Sequence, residues 1–137
     1  MFSKFSFIML ISSSIFIVSC PSILTTKIAK DSLNMAPIEH IKIMLLESFP
    51  IQVNVIAKGS LTDDCTTIDQ ITEAHNEDNI IIKITTTRKL NKVCSKITKP
   101  FLEIIPLNVV GFTAGIYTVK VNTIATTFEL GVDNIIP

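Results

Sequence analysis

The sequence is poor in the residues on which many binding and catalytic motifs depend. It has no tryptophan, one tyrosine, four glycines and two histidines among its 137 residues. So few aromatic rings argue against a stacking platform for sugars or bases, and four glycines provide no glycine-rich loop to cradle a phosphate. Neither His40 nor His75 has a metal-ligand spacing around it. We therefore expect no cofactor and no metal ion.

Charge of one sign and a recognisable catalytic set are lacking too. The 12 basic residues match 12 acidic ones, so there is no net basic field for nucleic acid or anionic lipid. Ser48, Ser60 and Ser95 lack the glycines of a nucleophile elbow. Asp63 and Asp64 do not follow the spacing of a calcium loop. We expect no nucleic-acid partner, no catalytic residues and no enzyme. The alternative that the sequence leaves open is a pair of catalytic carboxylates that are distant in sequence and come together only in the folded chain.

What the sequence does contain begins with an apolar leader. Met1 to Lys4 carries one positive charge, and the residues from Phe5 to Val18 are apolar apart from serines. A signal-peptide core has about 7–15 apolar residues, whereas a membrane span needs roughly 20. The leader fits the signal peptide, so residues 1–19 are predicted to direct export.

The leader ends in Ile17-Val18-Ser19-Cys20, which resembles the lipobox of bacterial lipoproteins. In that family an aliphatic residue, a small or β-branched residue and a small residue precede the cysteine, although Ile17 is a less usual choice than leucine. The resemblance implies a diacylglyceryl group on the Cys20 thiol, acylation such as palmitate on the freed amine, and attachment to an envelope membrane, inner or outer. The alternative is an ordinary signal peptide cut elsewhere, with Cys20 an incidental buried thiol.

If Cys20 carries lipid, two cysteines remain, Cys65 and Cys94. Two cysteines allow one pairing, and exported chains meet an oxidising environment, so we expect a disulfide. The chain-entropy model assigns a loop of this length about 3.6 kcal/mol of stabilisation. A metal site and a reactive thiol pair are the alternatives, but neither has a CxxC spacing or a nearby histidine.

From residue 38 onward, apolar and polar residues alternate with a period of two, which is typical of half-buried strands. About seven such strands over 38–131, without a long helical pattern, predict an all-β, antiparallel, immunoglobulin-like β-sandwich, with a small closed barrel as the alternative. Residues 20–37 are predicted to form a tether and residues 132–137 a tail. Turn chemistry marks Gly59-Ser60 and Asn122-Thr123. The predicted inward residues are Val53, Val55, Ile82, Ile84, Tyr117, Val119, Val121, Ile124 and Phe128.

The segment 88–100 is basic, contains Cys94 and has no acidic residue. Its cations are Arg88, Lys89, Lys92, Lys96 and Lys99. Because Asp63 and Asp64 precede Cys65, the disulfide would place an acidic turn, with carboxylates that favour water, beside this basic loop. The pattern is consistent with a solvated charge pairing or with a basic patch that contacts a partner.

Two resemblances bear on the domain. Ala114-Gly115-Ile116-Tyr117-Thr118-Val119 resembles the immunoglobulin-like strand before the last hairpin, although Val119 stands where domains with a central disulfide have cysteine. Residues 38–130 also resemble a family of small secreted or lipid-anchored prokaryotic domains without an established activity, which implies a fold and a location but no site. The stretches that carry this second resemblance are Leu46–Val53, Gly59–Leu61, Cys65–Ile68, Pro106–Leu107 and Gly115–Asn122.

Together these patterns predict a membrane-anchored lipoprotein of the cell envelope. Its domain would be a non-catalytic binding or structural module, attached to the membrane through Cys20 and contacting an envelope protein. The alternative is an inhibitor of a secreted hydrolase that presents the disulfide-braced loop 88–100. A rigid, protruding loop and a stoichiometric complex with a hydrolase would distinguish the inhibitor.

Overall fold

The computed structural model describes residues 34–90 and 92–137. The predicted signal peptide, the lipid-attachment residue Cys20 and most of the predicted tether lie outside the described residues. Within them, no helix has the length and apolar character needed to cross a membrane. The described residues form seven strands: β1 (Ile38–Leu46), β2 (Gln52–Leu61), β3 (Thr66–Asn76), β4 (Asn79–Arg88), β5 (Lys99–Leu107), β6 (Gly115–Val121) and β7 (Ile124–Leu130).

The strands form two sheets that pack as a sandwich. One has the order β1-β2-β5 and the other the order β3-β4-β6-β7, which confirms the predicted all-β sandwich of about seven strands. Every pair is antiparallel except β4 with β6, which is parallel. A parallel pair needs a long crossover connection, and here the chain crosses through β5 in the opposite sheet.

The core lies between the sheets and follows the predicted alternation. Successive side chains of a strand point to opposite faces, so every second residue turns inward. All the residues predicted to face inward are buried, except Ile124, which is half-buried. Burying each of these aliphatic side chains contributes about 1.5–3 kcal/mol relative to exposure, so the sandwich derives its main stabilisation from this two-sided core.

Gly59 and Ser60 do not form the predicted turn, because β2 continues through them to Leu61. A Cβ on Gly59 would overlap the carbonyl oxygen of Pro37 and would lie 2.7 Å from the ring of Phe101. Glycine within a strand often marks a close approach of another backbone. The absence of a side chain at Gly59 therefore lets Pro37 and Phe101 pack against β2 without interrupting the strand.

The end of the predicted tether is part of the sandwich. Met35 forms a bridge with Thr85, the Ala36 N–H donates to the Ile84 carbonyl at 2.9 Å, and the Thr86 N–H donates to the Asn34 carbonyl at 2.6 Å. This segment occupies the half of β4 that β6 leaves unpaired, since β6 pairs with β4 only through Ile82. Residues 34–37 therefore belong to the domain.

Asn122 connects this segment to the last hairpin. It lies between β6 and β7 with a φ of 51°, which confirms the predicted turn. Its Oδ1 accepts from the Ile84 N–H at 2.9 Å, and its Nδ2 donates to the carbonyls of Ala36 and Ile84 at 2.8 and 3.0 Å. One side chain thus completes the hydrogen bonding of β4 beyond the end of β6.

The predicted tail also contains a buried residue. Asn134 is 0% exposed, and its N–H donates to the Phe112 carbonyl at 2.7 Å. Its side-chain amide bonds both backbone groups of Ile51 and the carbonyl of Val109. The tail boundary at 132 is therefore wrong for this residue, which satisfies buried backbone groups of two loops.

The hydroxyl of Tyr117 bonds back to the backbone just upstream of β6. Its hydroxyl donates to the Thr113 carbonyl at 2.7 Å, and its ring stacks on Phe128 with centroids 5.6 Å apart. A tyrosine that bonds back to the backbone just upstream is a hallmark of immunoglobulin-like sandwiches. Here it fixes the loop before β6 against the core.

Candidate functional site

The predicted disulfide joins Cys65 and Cys94, whose Cα atoms are 5.6 Å apart. Cys65 is buried just before β3, and Cys94 is half-buried in the segment between β4 and β5. The bridge therefore attaches that segment to the end of the four-stranded sheet, outside the centre of the core.

The alternatives of a metal site and a reactive thiol pair do not fit this geometry. Among the described residues, the one cluster of metal-ligating side chains within 4.8 Å of one another is Asp64, Cys65 and Cys94. Metal ligation and nucleophilic chemistry need a thiolate, and both sulfurs are bonded to each other. While the bridge is formed, Asp64 is the one ligand that remains.

Asp63 organises the turn before the bridge. Its Oδ1 accepts from the N–H groups of Cys65 and Thr66 at 3.1 and 2.8 Å and from the Thr66 hydroxyl at 2.6 Å. Its Oδ2 accepts from Arg88 Nε at 2.9 Å. Hydrogen bonding by the Thr66 side chain, supported by Arg88, holds the pKa of Asp63 below its ordinary value, against burial, which raises it. Asp63 is 8% exposed, so the expectation of a solvated carboxylate was wrong for this residue.

Asp64 holds the segment on the other side of the bridge. The Ser95 N–H donates to Asp64 Oδ1 at 2.8 Å, and the Asp64 N–H donates to the Ser95 carbonyl at 3.3 Å. The Lys89 N–H donates to the Cys65 carbonyl at 3.2 Å. The segment is therefore fixed near both of its ends by backbone hydrogen bonds as well as by a covalent bond.

We call residues 89–98 the braced loop; the structure describes all of it except Asn91. The predicted loop was longer at both ends. Arg88 is the last residue of β4 and binds Asp63, while Lys99 begins β5 and pairs with Leu61. Of the five predicted contact cations, the loop itself carries three, Lys89, Lys92 and Lys96, and all three are exposed.

The braced loop also presents apolar side chains, which sequence reasoning did not single out. Leu90, Val93 and Ile97 are 86%, 96% and 66% exposed. The signal was present in the sequence as apolar residues interleaved with lysines. However, interleaving of this kind is also typical of an amphipathic strand, and only the tertiary structure shows that no part of the core covers these side chains.

The two histidines lie apart, His40 on β1 and His75 on β3, which belong to different sheets. His75 Nε2 is 2.5 Å from Glu73 Oε1, and its ring packs edge-on against Phe112. Glu73 Oε1 also accepts from the Asn108 N–H at 3.2 Å. Glu73 and His75 pair with the buried residues Ile82 and Ile80 of β4, so they lie on the core-facing side of β3. These contacts hold the loop before β6 against that side and explain the position of His75 structurally.

The model of the ORF11 beta-sandwich domain matches residues 55–130, more than half of the chain. The chain belongs to the ORF11 beta-sandwich family. That match runs from within β2 to the end of β7 and so contains both bridging cysteines and the braced loop. Asn134 lies beyond it.

Two relatives come from Herpetosiphon aurantiacus. An uncharacterized 10.2 kDa protein in the HgiCIIM 5' region is 33% identical over 93 residues, which are 68% of this chain and 98% of the relative. A second, in the HgiBIM 5' region, is 31% identical over 83 residues, which are 61% of this chain and all of the relative. No solved structure matches. The family description names a fold and the relatives are uncharacterized, so no catalytic family is indicated.

Proposed function

We propose that this protein is a membrane-anchored lipoprotein of the cell envelope whose sandwich is a non-catalytic binding module. The braced loop is its contact surface. One observation carries this proposal: three large aliphatic side chains, Leu90, Val93 and Ile97, are each at least 66% exposed on a segment that is fixed at its base. Clustered exposed apolar side chains mark interaction sites more often than single ones do.

The energetics favour such a surface. Complete burial of each aliphatic side chain is worth about 1.5–3 kcal/mol. Binding also costs free energy when loops and side chains become ordered, and a loop already held in one conformation avoids part of that cost. The disulfide and the two bonds between Asp64 and Ser95 hold the braced loop in this way.

The lipid anchor rests on the leader and on Cys20, and it has its own test. The protein should label with a fatty-acid probe and partition into the detergent phase. Cys20→Ala should abolish both. A Cys20→Ala protein that still labels and still partitions would contradict the anchor.

The contact surface can be tested by site-specific photo-crosslinking in intact cells. A photoreactive residue at Ile97 should give adducts, with lipid or with protein, at much higher yield than the same residue at Ile116. These positions are a matched pair because each is 66% exposed. Equal yields at the two sites would refute the assignment of the contact surface to the braced loop.

Inhibition of a secreted hydrolase is the second candidate, and the brace is the observation that favours it. A loop held by the Cys65–Cys94 bridge and by Asp64 could occupy an active-site cleft without being ordered on binding. The protein should then inhibit a secreted hydrolase at a one-to-one ratio, and reduction of the disulfide should weaken inhibition. A panel of such hydrolases, assayed with oxidised and reduced protein, would test this.

A further inference from the structure

We propose that the braced loop docks onto the anionic surface of the membrane that holds the anchor. Leu90, Val93 and Ile97 insert at the boundary of headgroups and acyl chains, and Lys89, Lys92 and Lys96 contact anionic headgroups. This inference rests on the proposed function, because it takes the lipid on Cys20 as given. The partner of the contact surface is then a lipid surface, and the loop sets the orientation of the domain.

The chain from Cys20 enters the domain close to the braced loop. Residues 34–36 run antiparallel to β4, and Asn34 pairs with Thr86. Followed back towards Cys20, the chain therefore leads to the end of β4 from which the braced loop starts. Asn34 and Arg88 line the same surface depression. Lys89 follows Thr86 by three positions, so the entry point and the loop are roughly 10 Å apart along β4.

The chain between Cys20 and the domain is short. Thirteen residues separate Cys20 from Asn34, and fully extended they reach at most about 50 Å. A loop tethered within that distance meets the membrane at a high effective concentration, so even a weak contact can form. Phe49 lies at the opposite end of the sandwich, separated by the length of the ten-residue strand β2, roughly 30 Å. The same chain can reach that end, but the braced loop lies at the end that is beside the entry point.

The composition of the braced loop suits a lipid surface. Protein interfaces are enriched in aromatic residues and arginine and depleted in lysine. The described loop residues include three lysines and three aliphatic residues but no aromatic residue and no arginine. Lysine can bury its stem beside apolar surface while its ammonium stays at the headgroups. An apolar tip flanked by lysines therefore fits a lipid surface better than a protein groove.

The charges of the braced loop also favour an anionic lipid surface as its partner. The whole chain has equal numbers of basic and acidic residues. However, exposed charges act only over a Debye length of about 8–10 Å, so the attraction of the loop to a surface depends on the charges near the loop and not on the net charge of the chain. The ion pairs found within the described residues, His75 with Glu73 and Arg88 with Asp63, involve none of the loop lysines. Each of these lysines can therefore contribute to attraction towards an anionic surface.

The absence of tryptophan makes a direct test possible. The lipidated full chain carrying Val93→Trp would be reconstituted into phosphatidylcholine vesicles with and without phosphatidylglycerol. Phe49→Trp is the control, because Phe49 is 69% exposed and lies at the far end. With phosphatidylglycerol present, the emission of V93W should shift to the blue and be quenched by lipids brominated on their acyl chains. The emission of F49W should not change.

The lysines supply a graded test in the same vesicles. Replacing Lys89, Lys92 and Lys96 by glutamine, one after another in V93W, should lower the ratio of inserted to free loop about fivefold per residue. High salt should act in the same direction, because it screens exposed charges. Insertion that is indifferent both to lysine replacement and to salt would overturn the role of the headgroup charge.

Three other outcomes would overturn the inference. If V93W stays on the vesicles through its lipid without a change in emission, the loop does not dock, while the anchor stands. If F49W responds and V93W does not, the far end faces the membrane. If V93W responds only after envelope protein is added, the partner is a protein. Failure of either variant to remain on vesicles would instead contradict the anchor, and the docking inference with it.

Discussion

Asn134 and Ile51 exchange two hydrogen bonds across 83 residues of sequence. The Ile51 N–H donates to Asn134 Oδ1 at 2.7 Å, and Asn134 Nδ2 donates to the Ile51 carbonyl at 2.9 Å. The same Nδ2 donates to the carbonyl of Val109 at 3.0 Å. The side-chain amide of Asn134 therefore takes the place of a backbone hydrogen-bonding partner for the loops that contain Ile51 and Val109. Both loops lie at the end of the sandwich that is remote from the braced loop.

Asn134→Ala should lower the free energy of unfolding by about 2–4 kcal/mol, because it leaves buried backbone groups of Ile51 and Val109 without partners. Urea unfolding would measure the loss. Asn108→Ala is the control, since Asn108 is exposed, and it should cost little. Equal stabilities of the two variants would mean that water replaces the amide fully.

Asn122 contributes to stability in two ways: it adopts a positive φ, and its side chain bonds the backbone of two other segments. Two substitutions separate these contributions. Asn122→Gly keeps the φ of 51° available but removes the bonds to Ile84 and Ala36, and should cost about 1–3 kcal/mol. Asn122→Ala also strains the backbone, adding about 1 kcal/mol. Denaturant unfolding should therefore rank the alanine variant as the less stable, and the reverse order would contradict this account.

Gly59→Ala should destabilise the protein by about 1–3 kcal/mol, the usual cost of overfilling a packed site. Its Cβ would meet the Pro37 carbonyl and the Phe101 ring, so β2 or the segment before β1 must shift. Gly131→Ala is the matched control because nothing lies within 4 Å of its Cβ position. Thermal unfolding of both variants would show whether the close approach at Gly59 is maintained in solution.

Asp63 should make stability depend on pH. The folded-state pKa lies below the ordinary value of 3.8, chiefly because of the hydrogen bond from the Thr66 hydroxyl. The stabilisation is therefore fully present above that ordinary value and is lost as the pH falls through the lower, folded-state pKa. Asp63→Asn removes this titration, so the stability gap between wild type and D63N should narrow below pH 3.8 in denaturant unfolding. Parallel stability curves down to strongly acidic pH would contradict it.

Reduction of the disulfide should lower stability by about 3.6 kcal/mol in the chain-entropy model, because the bridge closes a loop of 29 residues. The strands should remain formed, since Cys65 and Cys94 lie outside the central core. Far-UV circular dichroism should hardly change, while amide exchange in the braced loop should accelerate. The double variant Cys65→Ala, Cys94→Ala should reproduce both effects. A free thiol at Cys65 or Cys94 in the oxidised protein, found by non-reducing mass analysis, would reject the bridge.

The sequence by itself determined that the domain is all-β and which faces of its strands turn inward. Alternation is a local property, because successive side chains of a strand point to opposite faces. Val53 and Val55 on β2 and Val119 and Val121 on β6 could therefore be assigned to the core without knowing their neighbours. The bridge was predicted on the expectation that Cys20 carries lipid, which leaves Cys65 and Cys94 to pair.

Only the tertiary structure decided which distant segments meet. From sequence alone, Gly59 is predicted to be a turn residue, but in the structure it lies within a strand against the Pro37 carbonyl. Asn134 is predicted to belong to the tail, but in the structure its side chain bonds Ile51. The exposure of Val93 likewise depends on where the strands on either side of its loop are placed. A glycine or an asparagine has the same neighbours in sequence whether it lies in a solvent-exposed turn or in a buried contact. Which of the two it occupies depends on the packing of segments that are distant in sequence, and a local pattern contains no information about that packing.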